Sequence, residues 1–545
     1  MNLISLFRNE ILHSTARILS LLDKNPCSNT FGCLDRKYWQ YKIIDFPSYM
    51  QQELILPLVY VYKNKFDGNI YYEKKAIRNF IDGVFLFHKR SIHSDGSVDD
   101  YFPYERAYGA TAYTLAALTE SVIILGEKIS TDVLSAFEKS ADFLCLYKES
   151  GLLSNHLAIA ALSLANLYKI TQNSSWKIKA KKLLELLLKQ QSHEGWFKEY
   201  EGCDIGYQTV TLEFFLRSLT RLNMYEEMQS NVENLISFLF NMIHPDGSLG
   251  GEYCSRNTFN FYPNGFAILS SKYNNDKAQL ILDGYIKSVL NGNNYFLEDD
   301  GVFSHQLASK VNMLVYSSSA LKSSAPQFFT QKLNSIRVKE KDIVLQDSGF
   351  FRIFKEENTL IGSLNKGGIF KFFKNDKLLW SDTGLVLQDA KGKYFCQNNS
   401  NSSCGFVNEN IIKIEGYMQK MKTKKMGIIH MMGIRLLSMI FGKFSVYSNL
   451  IRWIMQKMLI ISKSSEELYF KREIILSEKL IIKDYILKES VKNILSLKRS
   501  TYCVNSHVVT SDSYQIGNLI PWEDIDLGSF NKELDLYVYT KEVER

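Results

Sequence analysis

Proline is scarce in this chain of 545 residues, with 8 copies, and no run of about 18 uncharged apolar residues occurs in it. The first shortage permits long uninterrupted helices and strands, and the second excludes an ordinary membrane-spanning helix. The apolar content of 46% and the charged content of 23% exclude a disordered or collagen-like chain. At this length, two large globular domains are expected.

Cofactor motifs are also missing. The eight cysteines include no C-x-x-C pair and no zinc-finger spacing, so they predict free thiols in a reducing compartment. There is no P-loop, no G-x-G-x-x-G motif and no D-x-D-D motif of the terpene cyclases. Charged residues interrupt the first 26 positions, which predicts an amphipathic helix and not an export signal. We therefore expect a cytoplasmic protein without a metal or another cofactor.

A turn glycine recurs six times in the first 325 residues, at intervals of 44 to 64 residues. Aromatic and polar residues follow each glycine, and then apolar residues at helical spacing. Six units with two helices each predict a closed or stacked array. We expect an (α/α)6 toroid over residues 1–325, with its turns around a central cleft, and an open α-solenoid is the alternative. The glycines are Gly32, Gly96, Gly151, Gly195, Gly247 and Gly301.

The pattern changes in the second part of the chain, over residues 336–545. Short runs such as GFFRIFKE and GIFKFFKN alternate in polarity and are bounded by Asn, Asp and Gly. Alternation with a period of two predicts antiparallel strands, and several such runs predict a β-sandwich. The expected fold class is therefore α+β, with an N-terminal toroid and a C-terminal antiparallel sandwich.

One segment of the second domain, residues 416–465, looks helical and Met-rich. It carries nine basic residues and no acidic one. The net charge of +7 is too mild to indicate a nucleic-acid partner, and because this segment contributes +9, the rest of the chain sums to −2. Apolar helices with only positive charge favour an anionic lipid surface, bound through residues 420–463 at the inner face of a membrane. Packing of a helical insertion on the sandwich or on a partner subunit is the alternative, and the oligomeric state stays unknown.

The predicted turns carry the residue types that β-elimination from a uronic acid requires. Removal of the C5 proton places charge on the carboxylate, which donors must stabilise, and an acid and a base must move protons. Asn155, His156, Tyr207 and Arg256 are the candidate catalytic residues, and they need no metal. The candidate substrate-binding residues in the same turns are Tyr101, Tyr104, Arg106, Trp196, Glu199, Tyr200, Tyr253, Asn257 and Tyr262.

The chain resembles the heparinase II/III-like polysaccharide lyases, including related alginate lyases, in the Asn155-His156 pair and in Tyr207 about fifty residues later. The resemblance implies a toroid joined to a β-sandwich, and an acidic polysaccharide or oligosaccharide as partner, in bacterial surface-polysaccharide metabolism. It implies that Asn155 neutralises the carboxylate, that His156 is the base or a second neutraliser, and that Tyr207 is acid or base. Arg256 is a candidate carboxylate ligand through bidentate geometry. The basic segment and the missing export signal depart from the pattern of such lyases.

Other functions stay open at this point. A glycoside hydrolase would use paired carboxylates, for which Asp99 or Asp100 with Glu199 or Asp204 are candidates. A uronate epimerase would share the abstraction of the C5 proton with a lyase. A non-catalytic glycan-binding or assembly protein would use the aromatic turns for sugar stacking alone.

Overall fold

A computed structural model describes most of the chain, and in this described part twelve α-helices precede the first strand and two further α-helices lie between strands. The helical N-terminal part and the antiparallel C-terminal part confirm the predicted α+β class. The predicted domain boundaries at 325 and 336 lie outside the described residues. These are residues 3–146, 153–199, 202–291, 304–320, 341–398, 403–421, 427–442, 444–456, 466–477, 479–487, 494–500, 522–525 and 536–543.

The N-terminal part contains helices α1 to α12. They are α1 (Leu3–Leu21), α2 (Ile55–Lys63), α3 (Lys75–Ser91), α4 (Tyr108–Leu125), α5 (Thr131–Cys145), α6 (Ser154–Thr171), α7 (Ser174–Leu188), α8 (Ile205–Leu222), α9 (Tyr225–Asn241), α10 (Pro263–Tyr273), α11 (Asp276–Leu290) and α12 (Ser304–Ala320). A π-helical turn (Lys37–Tyr41) and a 3-10 helix (Tyr49–Leu54) precede α2.

These helices form a closed ring of two layers. The even-numbered helices make up the inner layer, in which each packs on the next and α12 packs back on α2. The inner helix α4 is long and apolar enough to cross a membrane, yet 89% of that stretch is buried inside the toroid. The closed ring agrees with the expected toroid and excludes the open solenoid.

The recurring turn glycines have a steric role in this ring. Gly96 and Gly247 have φ angles of 88° and 87°, and a Cβ at either would overlap the backbone carbonyl of Lys139 in α5 or of Gly284 in α11. Only glycine combines a left-handed backbone with so close an approach to a neighbouring helix. Gly32 and Gly195 make the same type of contact, and Gly151 and Gly301 lie outside the described residues.

The C-terminal part consists of two antiparallel sheets. Its strands are β1 (Ile343–Val344), β2 (Phe350–Lys355), β3 (Asn358–Ser363), β4 (Ile369–Lys374), β5 (Lys377–Asp382), β6 (Leu385–Asp389), β7 (Tyr394–Cys396), β8 (Ser403–Asn408), β9 (Ile411–Lys420), β10 (Glu466–Leu476), β11 (Leu480–Leu487), β12 (Ile494–Ser500), β13 (Trp522–Ile525) and β14 (Leu536–Val543). One sheet has the order β1-β2-β3-β4-β5, and the other has the order β13-β12-β6-β7-β9-β10-β11-β14 with β8 paired to β9. Their facing side chains share one apolar core, as in a sandwich.

The five-stranded sheet is buried on both faces. Phe351 and Phe372 pack in the core of the sandwich, whereas Phe350 and Phe373 belong to the apolar core of the toroid. Every residue of β3 is consequently buried. This shared sheet holds the sandwich against the toroid.

The basic segment becomes helical later than the sequence pattern predicts. Strand β9 continues to Lys420, and Gly416 in it pairs with Phe470 of β10. Residues 416–420 therefore belong to the sheet, which corrects the predicted start of the insertion. Two helices follow, α13 (Ile428–Phe441) and α14 (Ser445–Gln456), in agreement with the helical pattern.

Candidate active site

The turns that precede α4, α6 and α8 meet at one end of the toroid. The start of α4 touches the start of α6, because a Cβ at Gly109 would overlap the His156 ring. The backbone of Leu153 pairs with that of Glu199 in the next turn. These turns form a rim on which Asn155, His156 and Tyr207 lie, and this end of the ring is called the rim below.

Asn155 is buried in the first turn of α6, and its side-chain amide is held from both sides. The Tyr113 hydroxyl donates to Oδ1 at 2.8 Å, and Nδ2 donates to Oε1 of Glu199 at 2.7 Å. These two bonds fix the orientation of the amide. Since an amide nitrogen carries two protons, Asn155 keeps a second N–H for another acceptor.

Glu199 is fully buried beside Asn155 and His156. Desolvation raises the pKa of its carboxyl to about 7, although the charge of His156 and the Asn155 hydrogen bonds act in the opposite direction. Because its oxygens face the Asn155 amides, the structure makes Glu199 a residue that orients Asn155. Glu199, predicted to bind substrate, is thus engaged with Asn155 and is fully buried.

His156 and Tyr207 are half-buried, each in the first turn of an inner helix. The His156 ring packs edge-on against Tyr113, with 6.0 Å between the ring centroids. Burial raises the pKa of Tyr113, and the nearby Tyr262, Tyr207 and Glu199 raise it further. Tyr113 therefore contacts the His156 ring and is close enough to Tyr207 to feel its charge.

Asp204 ties the start of α8 to the loop that carries Arg256. Oδ1 accepts a hydrogen bond from the Tyr207 amide at 3.2 Å, and Oδ2 accepts one from the Arg256 amide at 2.9 Å. The Thr258 hydroxyl and amide also donate to this carboxylate. Asp204 is fully buried and anchors the rim, so this candidate of the hydrolase hypothesis is engaged in hydrogen bonds within the protein.

Two buried lysines of the sandwich support the Arg256 loop. The Lys366 ammonium donates to the Glu252 and Cys254 carbonyls and to Oδ1 of Asn257. Lys371 pairs with the Glu252 carboxylate at 2.8 Å. Asn257, predicted to bind substrate, is thus a contact between the two domains, and the sandwich helps to position Arg256.

Two aromatic side chains predicted to bind substrate also lie between the domains. Trp196 is buried, and its Nε1 donates to Glu194 at 3.0 Å, which in turn accepts from the Ser348 amide of the sandwich at 3.0 Å. Tyr253 is buried with its hydroxyl 2.9 Å from Nε2 of His244. Tyr253 also packs edge-on against Phe350 of the sandwich, and Trp196 is linked to the sandwich through Glu194, so both side chains are engaged where the two domains meet.

The second turn places its predicted residues in different environments. Tyr101 is 71% exposed, and the half-buried Tyr104 stacks on His93 with 5.6 Å between the ring centroids. Arg106 is buried and pairs with Asp95, so its charge is compensated within the turn. Of the predicted fourth-turn residues, Tyr200 lies outside the described residues.

The remaining carboxylates of the hydrolase hypothesis are also engaged within the second turn. Asp99 accepts from the Tyr104 and Arg106 amides at 2.8 and 3.0 Å, and it lies 2.8 Å from His93. Asp100 accepts from the Ser48 hydroxyl at 2.7 Å. Within the described parts of the chain, no group of three or more His, Cys, Asp or Glu side chains is placed to hold a metal ion.

Tyr113 also lines a small cavity of about 10 Å³ inside the ring, together with Tyr262, Glu53 and Glu213. Burial raises the pKa of Glu53 and that of Glu213 to about 8. Both carboxyls are therefore largely neutral at pH 7. Tyr262, predicted to bind substrate, is buried at this cavity at the start of α10.

Replacement of Glu213 by Gln is expected to stabilise the protein increasingly as the pH rises. The folded pKa of about 8 lies above the ordinary value of 4.5, so the wild-type protein loses stability between these two pH values, whereas the variant does not. The free energy of unfolding of the variant, relative to wild type, should grow by a few kcal/mol from pH 5 to pH 8. Urea denaturation at both pH values measures this difference.

Glu120→Gln is the matched control, because Glu120 and Glu213 are both buried near Arg217. Glu120 pairs with Arg217 at 2.7 Å and with Arg221 at 2.8 Å, and despite burial these charges bring its pKa below the ordinary value. This variant should be destabilised at both pH values, since it leaves buried positive charge uncompensated. A Glu213→Gln variant whose advantage does not change with pH would contradict the assignment of a neutral Glu213.

Comparison by sequence finds no matching family model and no matching curated protein. By structure, the chain matches the chondroitin AC lyase of Streptomyces coelicolor A3 in complex with chondroitin sulphate, with a TM-score of 0.53 and 9% identity over 91% of this chain and 68% of that one. A match to heparinase III has a TM-score of 0.45 and 9% identity over 82% of this chain and 63% of that one. A sugar epimerase from a ruminal bacterium gives 0.43 and 12% over 58% of this chain and 99% of that one.

The match to the chondroitin AC lyase bears on the fold. Its TM-score exceeds 0.5, and the aligned 91% of this chain includes residues of both the helical ring and the sandwich. The chain spans about two thirds of the length of that lyase and 63% of the heparinase III structure. The chain therefore has the fold of a polysaccharide lyase, an N-terminal (α/α)6 toroid joined to a C-terminal β-sandwich.

Proposed function

We propose that this protein is a polysaccharide lyase that cleaves uronic-acid-containing glycans by β-elimination. The observation that carries the proposal is the cluster on the rim, where Tyr113 and Glu199 fix the Asn155 amide beside the half-buried His156 and Tyr207. The fold supports it, since a chondroitin AC lyase with the same fold has been seen in complex with chondroitin sulphate. An acidic polysaccharide or oligosaccharide is the proposed substrate.

Asn155 is proposed to stabilise the charge that develops on the uronate carboxylate. Its orientation is set before substrate binds, because Oδ1 and one N–H are already engaged by Tyr113 and Glu199. The second N–H then donates to a carboxylate oxygen as the C5 proton leaves. A donor that is already in place need not reorganise during the reaction, which is the main source of such stabilisation.

His156 and Tyr207 are proposed to move the two protons of the reaction. One of them removes the proton from C5, and the electrons of that C–H bond form the C4–C5 double bond. The bond from C4 to the glycosidic oxygen breaks, and the other residue protonates that oxygen. The Arg256 side chain, on the loop anchored by Asp204, is proposed as a further carboxylate ligand.

Incubation with uronic-acid polymers in D2O tests the reaction type. A lyase should give shortened chains with a C4–C5 double bond and no hydrogen at C5 of the new terminal residue. An epimerase would instead incorporate deuterium at C5 and leave the chain length unchanged. Chain length by gel filtration and C5 labelling by NMR measure the two outcomes.

Two further results of the same incubation would contradict the proposal. Shortened chains that retain the original C5 hydrogen would identify a hydrolase. Retention of the glycan on the protein without any change of chain length or C5 label would identify a non-catalytic glycan-binding protein.

A further inference from the structure

We propose that helices α13 and α14 form a docking surface for an anionic membrane, called the docking surface below. Of the 14 residues in α13, Ser438 is buried, and the large apolar side chains around it are exposed. Ile429 and Met439 are 84% and 80% exposed. A contiguous exposed apolar surface of this kind marks an interaction site. Its other exposed apolar members are Ile428, Met431, Met432, Leu436, Leu437, Ile440, Phe441, Phe444, Val446, Leu450 and Trp453.

The charge of residues 416–465, which contain α13 and α14, favours anionic lipid as the binding partner of the docking surface. Residues 416–465 contain nine basic residues and no acidic one, whereas the rest of the chain has a net charge of −2. A protein partner that covers only an apolar face would not require nine positive charges in the same segment. A segment whose charges are all positive in the sequence and whose helices expose apolar side chains complements anionic lipid headgroups over acyl chains, and each basic residue near such a membrane contributes about 1 kcal/mol.

The length of the helices favours a position on the membrane surface over a span. A helix of 14 residues such as α13 is about 21 Å long, whereas the hydrocarbon core is about 30 Å thick. Among the described helices, the one that is long and apolar enough to span is α4, and it is buried inside the toroid. We therefore infer that α13 and α14 lie in the plane of the headgroups.

Contacts with the toroid orient the docking surface. Arg435 of α13 pairs with Asp45, and its guanidinium lies over the Phe46 ring, 5.5 Å from the centroid. The end of α13 packs on Tyr104, because a Cβ at Gly442 would overlap that ring. Tyr104 lies in the turn that precedes α4, which is part of the rim, and Asp45 and Phe46 lie earlier in the chain. Docking on a membrane would therefore hold the rim beside the membrane.

Co-sedimentation of the full-length protein with lipid vesicles tests the proposal. We expect the protein to pellet with vesicles that contain phosphatidylglycerol and to pellet at least tenfold less with pure phosphatidylcholine. The triple variant Met432→Ser, Leu436→Ser and Met439→Ser should bind the anionic vesicles at least tenfold more weakly. The matched control, Ile70→Ser, Ile178→Ser and Leu186→Ser, removes exposed apolar side chains of the toroid and should bind as wild type does.

Two outcomes would overturn the proposal. The first is that wild-type protein pellets equally with both vesicle types or with neither. The second is that the wild-type chain self-associates in sedimentation velocity without lipid, and that the triple variant abolishes this self-association but binds vesicles as wild type does. The readout involves no glycan, so docking and the proposed lyase activity can fail independently.

Discussion

Replacement of Asp382 by Asn is expected to lower the free energy of unfolding by about 3–5 kcal/mol. Asp382 and Asp484 are buried in the sandwich with Arg472 and Arg499, and each carboxylate contacts both guanidinium groups. All four side chains are at most 2% exposed. Removing one negative charge leaves a buried positive charge without compensation, and this cost exceeds that of losing a single hydrogen bond.

The same cluster predicts a loss of stability in acid. Although burial acts in the opposite direction, the charges of Arg472 and Arg499 lower the pKa of Asp382 to about 2. Its contribution to stability is therefore complete above the ordinary value of 3.8 and is lost as the pH falls toward 2. Urea denaturation of wild type and Asp382→Asn at pH 7 and pH 3 should show the difference between them shrinking in acid.

Asp376→Asn is the control for this prediction. Asp376 follows β4 in the same domain, and its ion pair with Lys287 is long, at 3.7 Å, and exposed. Its replacement should change stability by less than about 1 kcal/mol. If Asp382→Asn also lowered the free energy of unfolding by less than about 1 kcal/mol, the buried cluster would not hold the sandwich together.

His156→Ala and Tyr207→Phe are each expected to lower kcat on a uronic-acid polymer at least about 100-fold, with KM little changed. His156→Ala removes a proton-transfer group at the rim, and Tyr207→Phe removes only the hydroxyl from a ring of the same shape. Initial rates over a range of substrate concentrations measure both effects. Thermal denaturation of the variants separates a loss of chemistry from a loss of folding.

Tyr168→Phe is the control for these two variants. Tyr168 lies on α6, as His156 does, but twelve residues further along the helix, where it contacts Lys177. Loss of the Tyr168 hydroxyl should leave kcat on the uronic-acid polymer unchanged. Near wild-type turnover in either His156→Ala or Tyr207→Phe would exclude that residue from the proton transfers.

The toroid was predictable because the turn glycines that specify its repeating units form a local pattern in the sequence. Each turn glycine that the structure describes lies where the chain touches the backbone of a neighbouring helix, as at Gly96 and Gly247, so the glycines recur with the period of the units. The start of the insertion was not predictable with the same precision. Residues 416–419 extend β9 because they pair with β10, about fifty residues away, and a local pattern does not contain that pairing.

The candidate site was predictable in part for the same reason. Asn155, His156 and Tyr207 follow turns at recognisable spacing. Tyr113 lies inside an apolar helix, and only the fold reveals that its hydroxyl reaches Asn155. Nor does any motif distinguish a tyrosine that faces the cleft from one that is buried between domains, as Tyr253 is.

The ultraviolet absorbance of wild-type protein mixed with chondroitin sulphate, heparan sulphate or alginate tests β-elimination most directly. The C4–C5 double bond of the product is conjugated with the carboxylate and absorbs, whereas the substrate does not. We expect the absorbance to rise with at least one of these polymers and to stay flat with the His156→Ala variant. Release of reducing ends without any rise in absorbance would contradict β-elimination and identify a hydrolase.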